Sequence, residues 1–381
     1  MKLATDLLRR AQRRGSYRYL VVIGLVVVGS LLLKSTLAPR SATTVTIQDP
    51  PRIFQPFGTV TLQSDFEVNG QGTNIDSIAF WEAPDPVETL MFVTAKANQL
   101  VEVWQYPFVN NELAPLTHNS FGTGARVNGV VVDQESGRLY VSVSDPASTV
   151  SVLSMPQLEF LQEFIQGSVN LKSEPNITLL KRANGQTWAY VSADTIVYIH
   201  DVESGVAIGQ FNPVKELETL AADHLYQVIY IPDENEMTGI YAYTPDGNAY
   251  ERNNTNSFGG GGIFQSDAEG ILLYTCSSDG ASDNGSGWIV VADQKRDQTD
   301  FEFFDRQTWE HLGTLKIQGV SNTDGIASIQ RPLPDYPLGI FAAINDDTST
   351  VGVGWDKILN MTGLSCGASI PIPTPSHTLA P

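Results

Sequence analysis

The sequence predicts an all-β fold, a six-bladed β-propeller of four-stranded blades preceded by an N-terminal transmembrane or signal segment. Apolar residues alternate, or cluster in runs of about four to eight, between Gly, Asn, Asp and Pro residues, as is typical of strands. The best helix candidate, residues 214–222, is short. A loose strand unit also recurs at roughly 44–55 residues, which is the period of propeller blades.

The recurring unit begins with a polar or acidic residue, which small apolar residues, a turn and an aromatic-rich strand follow. At this period, about 300 residues of strand-rich sequence make six blades. A β-sandwich would show shorter and unrepeated strand spacing. The predicted blades start near Asp76, Asn128, Glu174, Glu218, Asp267 and Asp324.

The N-terminal segment joins a basic stretch, residues 1–18, to an apolar stretch, residues 19–37. This order is typical of a signal peptide or a signal anchor. The uninterrupted apolar run is short for a membrane span of about 20 residues unless it extends to Leu37. Because Ala38-Pro39 is a poor cleavage site, we expect an uncleaved anchor. The alternatives are a cleaved signal peptide and, less favoured, a buried core helix.

The basic N-terminus predicts the location of the rest of the chain. The positive-inside rule places the propeller outside the cytoplasm, either anchored to the membrane through the N-terminal segment or secreted. Pro-, Ser- and Thr-rich stretches predict a linker at 38–58 and a tail at 363–381, with the propeller at 59–362 between them. Cys276 and Cys366 either pair in an oxidising compartment or remain two unrelated thiols.

The chain is strongly acidic beyond its basic N-terminus. It has 42 Asp and Glu against 23 Lys and Arg, a formal net charge of −19. Such a body repels phosphate polyanions, so we expect no nucleic-acid partner. It suits hard cations bound through oxygen. The five His residues are scattered without the spacing of zinc ligands. We expect a monomer.

Several motifs follow one another along the chain. Asp267-Ala-Glu-Gly270 is similar to D-I-E-G, residues 321–326 to S-D-T-D-G-I, and residues 336–345 to Y-P-F-G-L-F-V-A-Q-D. Residues 218–234 match E-G-x-x-A-D-D-E-Y-G-x-L-Y-I-A-E-E without gaps, whereas the match near Asp76 is thinner. In these motifs the chain resembles the β-propeller phytases, which are calcium-dependent phytate phosphatases.

The resemblance covers roughly residues 60–360 and implies a six-bladed propeller that hydrolyses phosphomonoesters as 3-phytase does, with phytate or a related organic phosphate as substrate. It also implies several calcium ions at one channel mouth, where they bridge substrate phosphates and activate water. Glu218, Glu234 and Asp324 would be catalytic, and Lys96 and Gln294 would contact the substrate. The implied calcium ligands are Asp76, Glu218, Glu234, Asp267, Glu269 and Asp324.

The positions of the same carboxylates also predict a metal site without the resemblance. Each lies at the start or end of an inner strand of a blade, and in a propeller these strand ends converge on the axis. Carboxylates that converge at one mouth cannot all stay ionised without cations. Calcium accepts six to eight oxygen ligands in irregular geometry. Bound there, it can hold phosphate oxygens and lower the pKa of a water molecule.

Several phosphate-binding positions of the family are changed in this chain. Residues 128–133 align with N-N-V-D-I-R, so Val131 and Asp133 stand where the family has Asp and Arg. Asp194 replaces a lysine, and residues 175–177 replace a segment with a site tyrosine. These losses favour an alternative function, a non-catalytic calcium-stabilised propeller for binding or scaffolding. A metal-dependent lactonase is a third possibility.

Overall fold

The structure, a computed structural model, describes much of the chain between residues 54 and 366. All described residues lie in one compact unit, Val45–Thr378. No helix within the described part is long and apolar enough to cross a membrane. The predicted segments 1–18 and 19–37 lie outside the described residues. Within 54–366 the description omits residues 71, 73, 97–99, 109–115, 119–125, 146–147, 166–170, 172–173, 215–216, 235–238 and 278–281.

The described chain forms six sheets, and the predicted six-bladed propeller is confirmed. Its strands in chain order are β1 (Gly58–Leu62), β2 (Phe66–Asn69), β3 (Ile75–Trp81), β4 (Leu90–Ala95), β5 (Leu100–Gln105), β6 (Leu116–His118), β7 (Arg126–Asp133), β8 (Arg138–Asp145), β9 (Thr149–Ser154), β10 (Phe160–Phe164), β11 (Ile177–Lys181), β12 (Thr187–Ala193), β13 (Ile196–Asp201), β14 (Ala207–Phe211), β15 (Ala221–Asp223), β16 (Val228–Asp233), β17 (Gly239–Tyr243), β18 (Ser257–Phe258), β19 (Asp267–Ser277), β20 (Asp283–Gln294), β21 (Asp300–Asp305), β22 (His311–Ile317), β23 (Ile326–Ile329), β24 (Ile340–Asn345) and β25 (Ser349–Gly354). A 3-10 turn at Pro86–Glu88 precedes β4.

Each blade is an antiparallel run of strands consecutive in the chain. Blades 1 to 4 are β3–β6, β7–β10, β11–β14 and β15–β18; blade 5 is β19–β22, and blade 6 begins with β23–β25. The first strand of each blade packs against the first strand of the next, and β23 packs against β3. The ring is therefore closed around a central channel. The six predicted blade starts fall within or just before these inner strands, so the predicted period is confirmed.

The N-terminal strands complete the last two blades. β2 pairs antiparallel with β25, with Phe66 opposite Gly352 and Asn69 opposite Ser349. β1 pairs parallel with β22 and adds a fifth strand to blade 5. Blade 6 is thus assembled from both ends of the propeller sequence.

The core lies between neighbouring blades, and blade 5 has its most aromatic part. Trp288 stacks on Tyr274 with ring centroids 4.4 Å apart, and Phe54 meets Trp288 edge-on at 5.3 Å. The Cys276 and Cys366 thiols, whose pairing the sequence left open, form a disulfide with Cα atoms 5.3 Å apart. This bond ties β19 to the segment after the last helix.

The helix prediction for residues 214–222 is wrong. Its described residues 217–220 have no regular secondary structure, and 221–222 belong to β15. Leu217 and Leu220 are buried between blades, where packing outweighs the weak helical pattern. The helix of the described fold is α1, Trp355–Thr362, which buries Trp355 and Ile358 and ends at a left-handed glycine, Gly363.

Candidate metal centre at one mouth of the channel

The topology directs two kinds of strand end to the same mouth of the channel. In each antiparallel blade the start of the inner strand lies beside the end of the second strand, as in the pairs Ile75–Ala95 and Asp267–Gln294. The inner strands also approach one another closely. A Cβ atom on Gly325 would lie 2.2 Å from the carbonyl oxygen of Asp76, so glycine is required where blade 6 meets blade 1.

Three carboxylates from blades 1, 3 and 4 surround one lysine. The Lys96 ammonium lies 2.6 Å from Asp76 Oδ1, 2.5 Å from Glu174 Oε2 and 3.4 Å from Glu218 Oε1. The three acids each place an oxygen within 4.8 Å of the others. We call Asp76, Glu174 and Glu218 the first carboxylate group.

Arg126, at the start of β7, joins this group from blade 2. Its guanidinium forms an ion pair with Glu174 Oε1, so Glu174 bridges Arg126 and Lys96. The two bases differ in exposure: the Arg126 side chain is 43% exposed, whereas the Lys96 side chain is 5% exposed. Arg126 is therefore the base at this mouth that solvent solutes can reach most directly.

A second carboxylate group consists of Glu218, Glu234 and Glu269, whose oxygens also lie within 4.8 Å of one another. Glu218 is common to both groups. Glu269 is buried, and within the described chain its Oε2 accepts no hydrogen bond and it forms no ion pair. Since buried polar atoms are normally paired, this oxygen is a candidate ligand for a cation.

The other predicted site residues lie around these groups. Gln294 donates its amide to Asp324 Oδ1, which links the end of β20 to the approach of β23. Asp347, after β24, lies beside Asp324 and has a buried oxygen without a hydrogen-bond partner among the described residues. Asp267 starts β19 and is exposed, and it belongs to neither carboxylate group.

Burial and mutual repulsion govern the charges at the mouth. Burial, reinforced by neighbouring carboxylates, raises the pKa of Glu218 and of Glu269 well above the usual range, and that of Asp324 to about 8. Burial opposes ionisation of Glu174 too, but its hydrogen bond with Glu218 and the charge of Lys96 lower its pKa to about 2. Added cations would therefore stabilise the ionised forms.

The donor set fits calcium. Two carboxylate groups with a shared member offer hard oxygen ligands without nitrogen or sulfur, and irregular spacing of this kind is tolerated by calcium better than by magnesium. The unpartnered Glu269 Oε2 is the observation that favours a cation in the second group. Glu218, Glu234 and Glu269 are the residues that would hold it.

A third acidic group, Asp293, Asp300 and Glu302, lies in blade 5 and is already balanced. Lys295 approaches Asp300 Oδ2 at 2.5 Å, and Lys316 approaches Asp300 Oδ1 at 2.9 Å. Glu302 accepts hydrogen bonds from Thr314 and contacts His311. This group is a structural ion network.

Another buried cluster, the Arg306 cluster, lies at the opposite end of blades 4 and 5. The Arg306 guanidinium binds Asp223 through two hydrogen bonds of 2.6 Å and Asp283 through bonds of 2.7 and 2.8 Å. Asp223 ends β15 on the side away from the mouth, and Asp283 begins β20. The cluster joins the two blades.

The changed family positions fall in different places. Asp133 ends β7, at the opposite end from Arg126, and accepts hydrogen bonds from the Glu135 and Ser136 amides of a turn. Its charge is therefore remote from the mouth. Asp194 follows β12 on the mouth side and is exposed. Of these two aspartates, only Asp194 places a new negative charge on the side of the mouth.

Sequence reasoning missed three residues of this mouth, namely Glu174, Arg126 and Asp347. Glu174 is a predicted blade start, and the other acidic blade starts belong to the predicted metal site, so the sequence contains a signal for Glu174. Arg126 precedes the compared motif by two residues. Asp347 lies in a hairpin turn, where acids are common for structural reasons.

Comparison with known proteins finds similarity to phytases, and the family match lies in the second half of the chain. A sequence model of the phytase family, described as Phytase, matches residues 200–361. A curated relative, the 3-phytase of Bacillus subtilis (strain 168), is 26% identical over 177 residues, which cover 42% of this chain and 44% of the relative. The chain thus spans less than half the length of that relative. The matched region contains blades 4 to 6, with Glu218, Glu234, Glu269 and Asp324.

Proposed function

We propose that this chain, which is similar to the phytase family over residues 200–361, is a calcium-dependent phosphomonoester hydrolase. Its substrate is phytate or a related organic phosphate, and it acts outside the cytoplasm. The observation that carries the proposal is the pair of carboxylate groups that share Glu218 at the channel mouth.

The residues of the mouth have separate tasks in this reaction. The carboxylates there would hold calcium, which would supply a Lewis acid to neutralise phosphate oxygens and lower the pKa of a bound water. Glu218 belongs to both carboxylate groups, and Glu234 and Glu269 complete the second. Gln294 fixes the orientation of Asp324 through its amide. Phosphoryl transfer depends largely on such positioning and charge neutralisation.

The bases at the mouth support an anionic substrate. Arg126 is partly exposed, and one of its guanidinium nitrogens is held by Glu174, which leaves other N–H groups for a phosphate. Lys96, predicted to contact substrate, lies deeper and is surrounded by carboxylates. Since Asp194 adds an exposed negative charge nearby, a substrate with few phosphate groups suits this mouth better than a fully phosphorylated inositol.

The disulfide supports the proposed location. Cys276 and Cys366 are bonded, and structural disulfides persist mainly in oxidising compartments outside the cytoplasm. The basic and apolar N-terminal stretches have the order of an export signal or anchor. Together they favour a propeller that faces the exterior.

The second candidate is a non-catalytic, calcium-stabilised propeller for binding or scaffolding. The exposed Asp194, where the family has a lysine, favours it, because one phosphate contact is replaced by a repulsive charge. This candidate keeps the metal centre but not the turnover.

One assay separates the two functions. The full chain, purified in mild detergent, is incubated with phytate or with simple phosphomonoesters, with calcium or with a chelator, and released phosphate is measured. The proposed enzyme releases phosphate only with calcium. A calcium-raised melting temperature without phosphate release from any ester contradicts the enzyme and supports the scaffold.

A further inference from the structure

We propose that the ammonium group of Lys96 fills one of the two cation positions of this centre, so that the first carboxylate group holds a lysine where the second holds a metal ion. Its nitrogen lies 2.6, 2.5 and 3.4 Å from the oxygens of Asp76, Glu174 and Glu218. The side chain is only 5% exposed. The charge is therefore enclosed by this group and is turned away from solvent.

The chemistry of an ammonium suits this position. It has three N–H donors and no acceptor, so it can donate once to each of three carboxylates. The two shorter contacts, 2.5 and 2.6 Å, lie near the upper limit of calcium–oxygen distances. A single cation at this point reduces the repulsion among three acids that burial would otherwise force to take up protons.

The backbone holds Lys96 in place from within blade 1. Lys96 directly follows β4, and its amide donates to the carbonyl of Asn74, just before β3. Asp76 stands in β3 beside it. The lysine and its first partner thus come from adjacent strands of one hairpin, and Glu174 and Glu218 complete the contacts of the ammonium from blades 3 and 4.

The second carboxylate group differs from the first because Glu269 is not paired with a basic side chain among the described residues. Glu269 has no ion pair within the described residues, and its Oε2 is buried without a hydrogen bond. The shared residue Glu218 therefore stands between a lysine on one side and a group that could hold a metal ion on the other. That the ion is calcium rests on the proposed function, whereas the lysine's place rests on the distances alone.

Removing the lysine charge should open a new metal position. In the variant Lys96→Met, isothermal titration of the full chain with calcium should show one more bound ion than in the unchanged protein. Lys181→Met is the matched control, because Lys181 pairs with Glu135 at an exposed position and its loss should leave the count unchanged. An equal count in Lys96→Met and the unchanged protein would overturn the inference.

A second pair of variants leaves Lys96 intact. Glu174→Gln alters only the lysine-filled group and should keep the number of bound calcium ions, whereas Glu269→Gln alters the other group and should lose one. A lost ion in Glu174→Gln, or an unchanged count in Glu269→Gln, contradicts the assignment. This pair decides the question if Lys96→Met does not fold.

Metal counts and turnover fail independently in these experiments. The predicted counts in a protein without phosphate release would overturn the proposed enzyme and leave the lysine's role standing. Calcium-dependent phosphate release, together with unaltered numbers of bound ions in Lys96→Met and Glu269→Gln, would support the proposed enzyme and overturn the role of the lysine.

Discussion

The channel mouth and the Arg306 cluster both bury acidic side chains in the same propeller, but they balance the charge differently. In the Arg306 cluster two carboxylates share one guanidinium through four hydrogen bonds. Asp223 also accepts from the amides of Leu225 and Tyr226. At the mouth, acids outnumber the bases Lys96 and Arg126, and Glu269 keeps an unpartnered oxygen.

This difference distinguishes a structural cluster from the proposed functional one. A buried ion pair contributes to a fold when its geometry is complete, as at Arg306. A buried acid left without a partner costs free energy in the fold. The mouth, unlike the Arg306 cluster, is therefore expected to gain stability from a cation taken from solution, and the following variants test that contrast.

The largest effect is expected from Glu218→Gln, since Glu218 belongs to both carboxylate groups. We expect phosphate release to be abolished and the calcium-induced rise in melting temperature to shrink, because one neutral amide replaces a shared anionic ligand. Phosphate assays and thermal unfolding with calcium or chelator measure both. Glu135→Gln, at an exposed pair, should behave as the unchanged protein. Full activity in Glu218→Gln would remove this residue from the centre.

Arg306→Leu should destabilise the fold without any dependence on calcium. It leaves Asp223 buried and unpaired, and the loss of one partner of a buried pair costs about 3–5 kcal/mol in the free energy of unfolding. Denaturant unfolding, with calcium and with chelator, checks this value. Arg138→Leu breaks a more exposed pair with Glu203 and should cost less than about 1 kcal/mol. If calcium restored the stability of Arg306→Leu, the Arg306 cluster would depend on calcium as the mouth does, and the proposed difference between the two would be wrong.

The pH dependence of stability should reveal the excess of acids at the mouth. The folded-state pKa of Asp324 is raised to about 8, so the folded form holds a proton that the unfolded chain releases near pH 4. Its contribution is fully present below pH 4 and is lost as pH rises to about 8. In chelator, the melting temperature should therefore fall across this range. Calcium should flatten the fall.

Asp324→Asn supplies the control for that experiment. The amide cannot ionise, so in chelator the variant should lose less stability between pH 4 and pH 8 than the unchanged protein. Identical pH profiles would show that Asp324 does not titrate with a raised pKa.

The smallest effect is expected from Arg126→Gln. Because the side chain is partly exposed and binds Glu174, its loss should raise KM for a phosphate ester about tenfold, with kcat little changed. Steady-state kinetics separate the two constants. Arg138→Gln removes a surface charge elsewhere and should leave KM unaltered. An unchanged KM in Arg126→Gln would exclude this arginine from substrate binding.

The architecture was predictable from the sequence because blade starts repeat at a nearly constant period. Asp76, Asn128 and Asp267 lie within inner strands as predicted. The helix prediction at 214–222 failed, since tertiary burial of Leu217 and Leu220 outweighed local pattern.

The candidate site was only partly predictable. The period indicates which residues reach the mouth, but not how side chains from different blades divide into groups. Asp267 shares the strand of Glu269 and yet is exposed at its start. That Glu174 bridges Lys96 and Arg126 depends on three blades, and no local pattern contains this information.

The pairing of β2 with β25 has a consequence for the order of assembly. Asn69 in β2 pairs with Ser349 in β25, which is synthesised much later, so blade 6 cannot be complete before then. Contacts so distant in sequence form late and slowly. During synthesis β2 therefore stays unpaired until nearly all of the propeller sequence has been made. The closing of the ring, and with it the junction of blades 6 and 1 beside Asp76, is thus an event of the finished chain.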